Sequence, residues 1–283
     1  MTSPPIRSSQ TVQAAVLRAL PAAPAWAVPG AVSWVEETGS TNADLMAVGQ
    51  QARAERSPIA ARMLRMARRQ NAGRGRLARG WTTPADAGLA MSIGMALPLV
   101  PTALSGFTLV CGLAVHAALR TAGAAVRLKW PNDVLSDDAR AKVGGILVEI
   151  VQLDARRTWV VTGIGINLRA ADQLSVQWGR AIADVAALGA PQADAVELAA
   201  AIVAELEARV AVFVADGFAP FVEDFNAAHA FHGRPVVLTQ DGAPASHGVC
   251  VGVDARGEVL IRGADGAVAH VLSGEVSMAA MET

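Results

Sequence analysis

Apolar residues along this chain fall at two kinds of spacing, and the spacing changes type several times. Residues 10–20 place Val12, Val16 and Leu20 at helical intervals, which predicts one short helix. The proline-rich stretch PAAPAWAVPG that follows predicts a connector. MSIGMAL at 91–97 sets large side chains against small ones at period two, the pattern of a strand packed on one face. A helix is expected over 104–122, closed by Gly123. VRLKW (126–130), KVGGILVEIV (142–151) and WVVTGIGINL (159–168) are β-branched apolar runs. Polar turns such as NDVLSDDARA separate them, so strands of one sheet with antiparallel connections are expected. Leu198, Ile202, Leu206 and Val210 form one stripe over 194–214, with Asp194 and Glu197 at capping-box spacing; this predicts an amphipathic helix.

After His232 the texture changes. RPVVLT, HGVCVGV, EVLIRG and AVAHVL read as four short strands joined by QDGAP, DARG and GADG turns, whose Asp-Gly and Gly-rich composition suits tight hairpins. Three parts are therefore expected: an N-terminal segment over 1–33, an α/β domain over 34–232 and a small β-barrel over 233–283. A length of 283 residues agrees with about two domains at roughly 150 residues each.

A hydrophobic content of 52% supplies material for a core and speaks against disorder over most of the length. With 24 basic against 25 acidic side chains the net charge is -1, so no global field collects nucleic acid or an anionic membrane, and any polyanion site must be local. Cys111 and Cys250 stand far apart in no CxxC pair, which argues against a disulfide framework or zinc cluster and for a reducing cytoplasm. Arg7 precedes an apolar stretch from Ala14 to Ala27, but Arg18, Pro21 and Pro24 interrupt it, so no secretory signal is expected. The apolar run from Gly88 to Val100 is too short to cross a bilayer.

The charge is concentrated. Seven arginines, at 62, 65, 68, 69, 74, 76 and 79, occur with no acid between Arg62 and Arg79. The densest part, NAGRGRLARGW, alternates glycine with arginine. Glycine lets backbone N–H groups approach an oxyanion, and guanidinium forks grip phosphate or carboxylate in two places. A phosphate-bearing small ligand fits; a solvated basic loop is the plainer reading. In LKWPNDV (128–134), Pro131 forces an extended turn that Asn132 and Asp133 would hold by side-chain hydrogen bonds. KVGGILVE (142–149) puts Lys142 at a strand start beside Gly144 and Gly145, which would let a ligand lie close to the backbone. GIGINL (163–168) repeats that device with Asn167, and GSTNADLM (39–46) offers small polar side chains before a helix, as an ordinary N-cap also does.

Together and in this order, STN, QxAGRGRxxRxW, KWPND, KxGGILxE, GIGIN and a late SGEVS (273–277) resemble the biotin protein ligases, in the short form without a DNA-binding domain. The resemblance runs from about Val35 to Met278. It implies an α/β (α+β) fold: a class II synthetase-like catalytic domain with a mixed, largely antiparallel sheet, then an SH3-like β-barrel. It implies joining of biotin to ATP, giving biotinoyl-5'-AMP and pyrophosphate, and transfer of the biotinoyl group to a lysine of a biotin carboxyl carrier protein or domain. ATP and biotin would be the substrates, with Mg²⁺ carried on ATP and no protein metal site. No nucleic acid or membrane partner is implied, and the chain would be a monomer or homodimer.

The resemblance also assigns residues. Lys142 would lie beside the biotin carboxyl and the α-phosphate and act electrostatically, with Arg74 in the same machinery. Ser40, Thr41, Asn42, Gln70, Arg74, Gly75, Arg76, Lys142, Gly144 and Gly145 would bind biotin. Arg76, Arg79, Trp81, Asn132, Lys142 and Asn167 would bind ATP, Trp81 by stacking on adenine. His229 and His232 fall outside every motif and are expected to be linker residues. Two departures stand out: Ala78 replaces a glycine of the usual loop, and Arg68 and Arg69 replace an acidic and an apolar or aromatic residue. The alternatives kept are a lipoate or octanoate ligase-like enzyme, against which KWPND argues, and an inactive biotin-binding paralogue.

Overall fold

The computed structural model describes residues 8–20, 23–82, 84–240, 243–272 and 276–280, and side chains throughout these except at 78, 240, 243–246 and 276–280. The chain runs α1 (Ser9–Ala19), β1 (Val32–Thr38), α2 (Thr41–Glu55), β2 (Arg62–Gln70), β3 (Gly88–Leu97), α3 (Phe107–Thr121), β4 (Val126–Lys129), β5 (Asp133–Ser136), β6 (Lys142–Gln152) and β7 (Thr158–Asn167). It continues through α4 (Ala171–Trp178), α5 (Ala195–Asp216), α6 (Val222–Ala228), β8 (Pro235–Gln240), β9 (Ala243–Val253), β10 (Val259–Arg262), β11 (Val268–Val271) and β12 (Val276–Ala280).

Seven strands form one sheet in the order β1-β2-β3-β7-β6-β5-β4. Every neighbouring pair is antiparallel except β1 with β2, which is parallel because α2 crosses over between them. Three strands of this sheet, β1, β2 and β5, go beyond the sequence expectation. β2 is built from the arginine-rich segment, in which the buried Leu64, Met66 and Ala67 lie among arginines on both faces of the strand, so no period of two shows. β5 lies inside the expected polar turn, with Val134 and Leu135 buried.

The three helices expected from the sequence are present as α1, α3 and α5. In α5, Asp194 caps the N-terminus by accepting from the N–H of Val196 at 2.7 Å and of Glu197 at 3.3 Å. α3 is followed by Gly123 at φ 97°. By length and composition alone Pro101–Thr121 is apolar enough to span a bilayer; here Phe107, Val110, Leu113 and Val115 are buried in the core, Phe107 edge-on to Phe213 of α5 at 5.1 Å. The N-terminal segment joins the same core through Val12, Val16 and Trp26. Glu207 of α5 ties it down by accepting from the Trp26 indole at 3.0 Å and pairing with Arg62 at 2.5 Å.

The second sheet is antiparallel, ordered β11-β10-β9-β8-β12. Its fifth strand, β12, was not expected as an element; Ser273–Glu275 of the SGEVS motif and Asp241–Gly242 of the QDGAP turn lie outside the described residues. Val236, Leu238, Cys250, Val259 and Ile261 belong to the same core as the large sheet. The β9–β10 turn is pinned where the Trp130 indole donates to the Gly257 carbonyl at 3.0 Å and the Ser105 hydroxyl to that of Arg256 at 2.6 Å. His229 is the linker residue expected, and it is also structural: 2% exposed, ring-stacked on Phe225 at 5.5 Å, with Nδ1 3.7 Å from the Cys250 sulfur.

One packing relationship sets up the site. Trp159 of β7 is wholly buried and lies across two glycines: a Cβ on Gly49 of α2 or Gly94 of β3 would meet its ring at 2.3 and 2.2 Å. Its indole donates to the Leu45 carbonyl at 2.9 Å. The fit seats α2 directly on the sheet, so its N-terminus, Ser40 to Asn42, faces the strand glycines. Truncating such a tryptophan costs about 3–5 kcal/mol.

Candidate active site

A cavity of about 480 Å³ opens over the middle of the large sheet, within the range of small-molecule sites. Ser40, Thr41, Asn42, Gln70, Arg74, Gly75, Arg76, Arg79, Trp81, Asn132, Lys142 and Gly145 all line it. Gly144 and Asn167 do not. A Cβ on Gly144 would meet the Ile166 side chain at 2.5 Å and the Gly165 carbonyl at 2.6 Å, so this glycine serves strand packing. Asn167 is 3% exposed and borders Trp81 in a small neighbouring pocket, its amide 3.5 Å from the Lys142 carbonyl and 3.4 Å from that of Ala183. It is placed to support the backbone of Lys142.

One end of the cavity is a neutral polar cradle. The Gln70 side-chain oxygen accepts from both the N–H and the hydroxyl of Thr41, at 2.8 and 3.1 Å. The Thr41 and Ser92 hydroxyl oxygens stand 2.8 Å apart, and Ser92 donates to Asn42 Oδ1 at 2.9 Å. The Asn42 amide donates to Glu149 at 2.6 Å, and Arg74 stands 3.9 Å from the same carboxylate. Ser40 caps the helix, accepting from the Ala43 N–H at 3.4 Å. Ser92 and Glu149 are site residues that the motifs do not assign: Glu149 is the last letter of KxGGILxE, whereas Ser92 lies in a strand that carries no motif.

The glycines of GIGIN work differently from the expectation that a ligand rests on them. A Cβ on Gly163 would meet Asn42 Oδ1 at 2.5 Å, and one on Gly165 would meet the Trp81 ring at 2.4 Å. They make room for two side chains of the site. The Trp81 indole N–H is buried and has no hydrogen-bond partner among the described residues, and its ring lies 5.9 Å from Lys142 Nζ.

The other end is cationic. Arg74, Arg76, Arg79, Lys129, Lys142 and Arg180 face a single lining carboxylate, Asp133. Lys142 forms an ion pair and hydrogen bond with Asp133. A Cβ on Gly145 would stand 3.3 Å from Lys142 Nζ, so this glycine accommodates the lysine's own ammonium. Asn132 reaches across to β6, its amide donating to the Ile146 carbonyl at 3.0 Å; the KWPND turn is thus braced by a strand and a lysine rather than closed on itself. Burial disfavours the charged form of Arg76, Asp133 opposes this, and Arg79 adds to it. Burial also pulls Lys129 down, against Asp133 and with Lys142, Arg79 and Arg180.

The seven arginines separate by function. Arg62 pairs with Glu207, Arg65 with Asp44, Arg68 with Asp86 and Glu36, and Arg69 with Glu37. Arg68 and Arg69 are therefore engaged on the sheet surface and do not extend the anion site. Arg74, Arg76 and Arg79 belong to a loop stitched by the Gly75 N–H to the Arg79 carbonyl at 2.7 Å and the Trp81 N–H to that of Gly73 at 2.9 Å. Leu77, 58% exposed at its tip, has left-handed backbone (φ 55°, ψ 35°).

Residues 50–167 match the biotin/lipoate A/B protein ligase family, and residues 231–278 match the biotin protein ligase C terminal domain. The biotin--[acetyl-CoA-carboxylase] ligase of Mycobacterium tuberculosis H37Rv is 32% identical over 232 residues, 80% of this chain and 81% of its own length. The chain belongs to this ligase family. The bifunctional ligase/repressor BirA of Escherichia coli K12 is 34% identical over 216 residues, 75% of this chain; the chain spans 65% of that relative's length. Among solved structures, the biotin protein ligase of Aquifex aeolicus in complex with biotin and ATP superposes with a TM-score of 0.69 at 26% identity, covering 88% of this chain and 98% of that one. The mixed sheet followed by a small antiparallel sheet is the architecture expected from the motifs.

Proposed function

We infer that this protein is a biotin ligase: it activates biotin with ATP to biotinoyl-5'-AMP and pyrophosphate, then passes the biotinoyl group to a lysine of a biotin carboxyl carrier domain. The observation that carries the reading is the division of one cavity into a neutral hydrogen-bonding cradle and a cationic end, with Lys142 at the cationic end. Biotin has the matching halves. Its ureido ring offers an oxygen and two N–H groups, and its valerate ends in a carboxylate.

In the first step a biotin carboxylate oxygen attacks the α-phosphorus. The new P–O bond forms as the bond from the α-phosphorus to the bridging oxygen of the β-phosphate breaks, and pyrophosphate leaves with that electron pair. Both reactants are anions, so the barrier includes their repulsion. Lys142, Arg74, Arg76 and Arg79 offset that charge and hold the reactants in line. Asp133 fixes the Lys142 ammonium in place, so the lysine acts as a positioned cation rather than a nucleophile. In the second step the neutral ε-amine of the acceptor lysine attacks the acyl carbon, the bond from that carbon to the phosphate oxygen breaks, and AMP leaves while the amine loses its proton.

Mg²⁺ would arrive on the ATP phosphates. One lining carboxylate, already engaged with Lys142, suits a metal that keeps its waters and phosphate ligands better than a protein-held ion. The closed loop would protect the mixed anhydride from water. A reducing, cytoplasmic setting suits Cys111 and Cys250, both buried and free. The deciding experiment is ATP–pyrophosphate exchange with biotin, with lipoate and with neither. Exchange with biotin alone supports the reading; exchange with lipoate alone moves the chain to the sister activity, and exchange with neither in a folded protein marks a binding paralogue.

A further inference from the structure

Arg180 has no place in any of the motifs, yet it lines the cationic end of the cavity. Its position is built with care. α4 ends at Gly179 in left-handed conformation (φ 60°), and the chain then turns to run beside the first residue of β6. The Lys142 N–H donates to the Ala181 carbonyl at 3.1 Å, the Ala183 N–H donates to the Lys142 carbonyl at 2.9 Å, and Ile182 forms a parallel bridge with Lys142. The Ser175 hydroxyl accepts from the Ile182 N–H at 3.0 Å. Arg180 therefore enters the cavity from the residue next to the clamp that fixes Lys142, and the two cations keep a set relation.

Its electrostatic situation differs from that of the surface arginines. Arg62, Arg65, Arg68 and Arg69 each have a carboxylate within 4 Å, whereas Arg180 has no ion-pair partner among the described residues. It faces Lys129, Arg79 and Lys142 instead, and its charge helps to disfavour that of Lys129. Like charges held together without counterions cost free energy that a bound polyanion recovers. Arg74 stands 3.9 Å from Glu149 and Lys142 pairs with Asp133, which leaves Arg76, Arg79, Lys129 and Arg180 lining the cavity without an ion-pair partner among the described residues, more positive charge than a biotin carboxylate needs.

Resting on the reading of the site as a biotin- and ATP-binding cavity, we propose that Arg180 is a phosphate-binding residue that holds the polyphosphate chain of ATP and the pyrophosphate it releases. The guanidinium fork matches two non-bridging oxygens; Arg180 lines the cavity with Lys129, Arg79 and Lys142 and also borders Trp81, and the shared positive charge of this group favours a polyanion over a neutral base.

The test is a titration of inorganic pyrophosphate into the full-length chain by calorimetry, with Arg180→Ala and Arg180→Lys variants. Biotin and adenosine titrations run as controls. Arg180→Ala weakens pyrophosphate binding about tenfold or more and raises KM for ATP in the exchange assay to a similar extent. Biotin and adenosine affinities stay within about twofold of wild type, and Arg180→Lys recovers part of the loss because the charge remains. Unchanged pyrophosphate affinity in Arg180→Ala overturns the proposal. So does a parallel loss for biotin, which would show that the residue only supports the Lys142 clamp, or a loss for adenosine alone, which would make it a base contact. Absence of biotin-dependent exchange in the wild type would defeat the functional reading, while the pyrophosphate titration still decides Arg180.

Discussion

Asn42 rests against the backbone of Gly163 so closely that a methyl group there would stand 2.5 Å from its Oδ1. The amide cannot swing aside freely, because Ser92 donates to its oxygen at 2.9 Å and its nitrogen donates to Glu149 at 2.6 Å. Gly163→Ala is therefore expected to displace Asn42 and weaken biotin binding by an order of magnitude or more, since a cradle built for hydrogen bonds tolerates misplacement poorly. Calorimetry with biotin checks this; wild-type affinity in a folded variant would remove Asn42 from the binding site.

Lys142→Ala is expected to lower biotin-dependent exchange by at least about a hundredfold, the scale of losing a preorganised charge at a reacting centre. It should leave the circular dichroism spectrum unchanged, because Lys142 sits at a strand start with its side chain in the cavity. Wild-type pyrophosphate exchange by a folded variant would sink the assignment.

Arg69→Ala should leave KM for biotin and ATP unchanged, because its partner is Glu37 on the sheet surface. Arg74→Ala, from the same basic stretch, should loosen biotin, since Arg74 lines the cavity. Equal effects of the two substitutions in the exchange assay would contradict the division between surface pairs and loop cations.

The backbone strain in the basic loop sits on Leu77, one residue before the Ala78 that departs from the family pattern. Left-handed backbone costs a non-glycine residue roughly 1–2 kcal/mol, so Leu77→Gly should relieve the loop, offset in part by greater freedom of the unfolded chain. The expected readout is slower release of biotinoyl-5'-AMP in stopped-flow, with Ala78→Gly giving the smaller change. The reverse ranking would place the strain at Ala78.

Burial pushes His229 down to about 3, with His232 and Lys129 adding to the effect. The unfolded chain takes up a proton on this histidine near its ordinary 6.5 while the folded one resists, so the unfolded state binds more protons between those values. Stability is then full above pH 6.5 and falls as pH drops toward 3, by up to about 1.4 kcal/mol per pH unit. Urea midpoints at pH 7.5 and pH 5 measure the slope, and His229→Leu should flatten it. An unchanged slope in that variant would assign the acid sensitivity elsewhere.

By itself the sequence determined the elements whose periodicity is undisturbed by charge, such as α3, α5, β6 and β7, and the catalogue of site residues through the order of its motifs. It also placed the second sheet, where turn chemistry recurs at short intervals. Periodicity missed β2 because its arginines stand on both faces, and β5 because it is four residues long inside a polar turn. Only the tertiary structure decided which of the seven arginines face the cavity, since pairing partners such as Glu207 in α5 and Asp86 in the turn before β3 lie far along the chain. The same holds for the glycines. Sequence shows that Gly163, Gly165, Gly49 and Gly94 lack a side chain, while only packing shows that Asn42, Trp81 and Trp159 occupy the space. Spacing along a chain reports which face a residue takes; the occupant of that face comes from elements brought together by burial of the core.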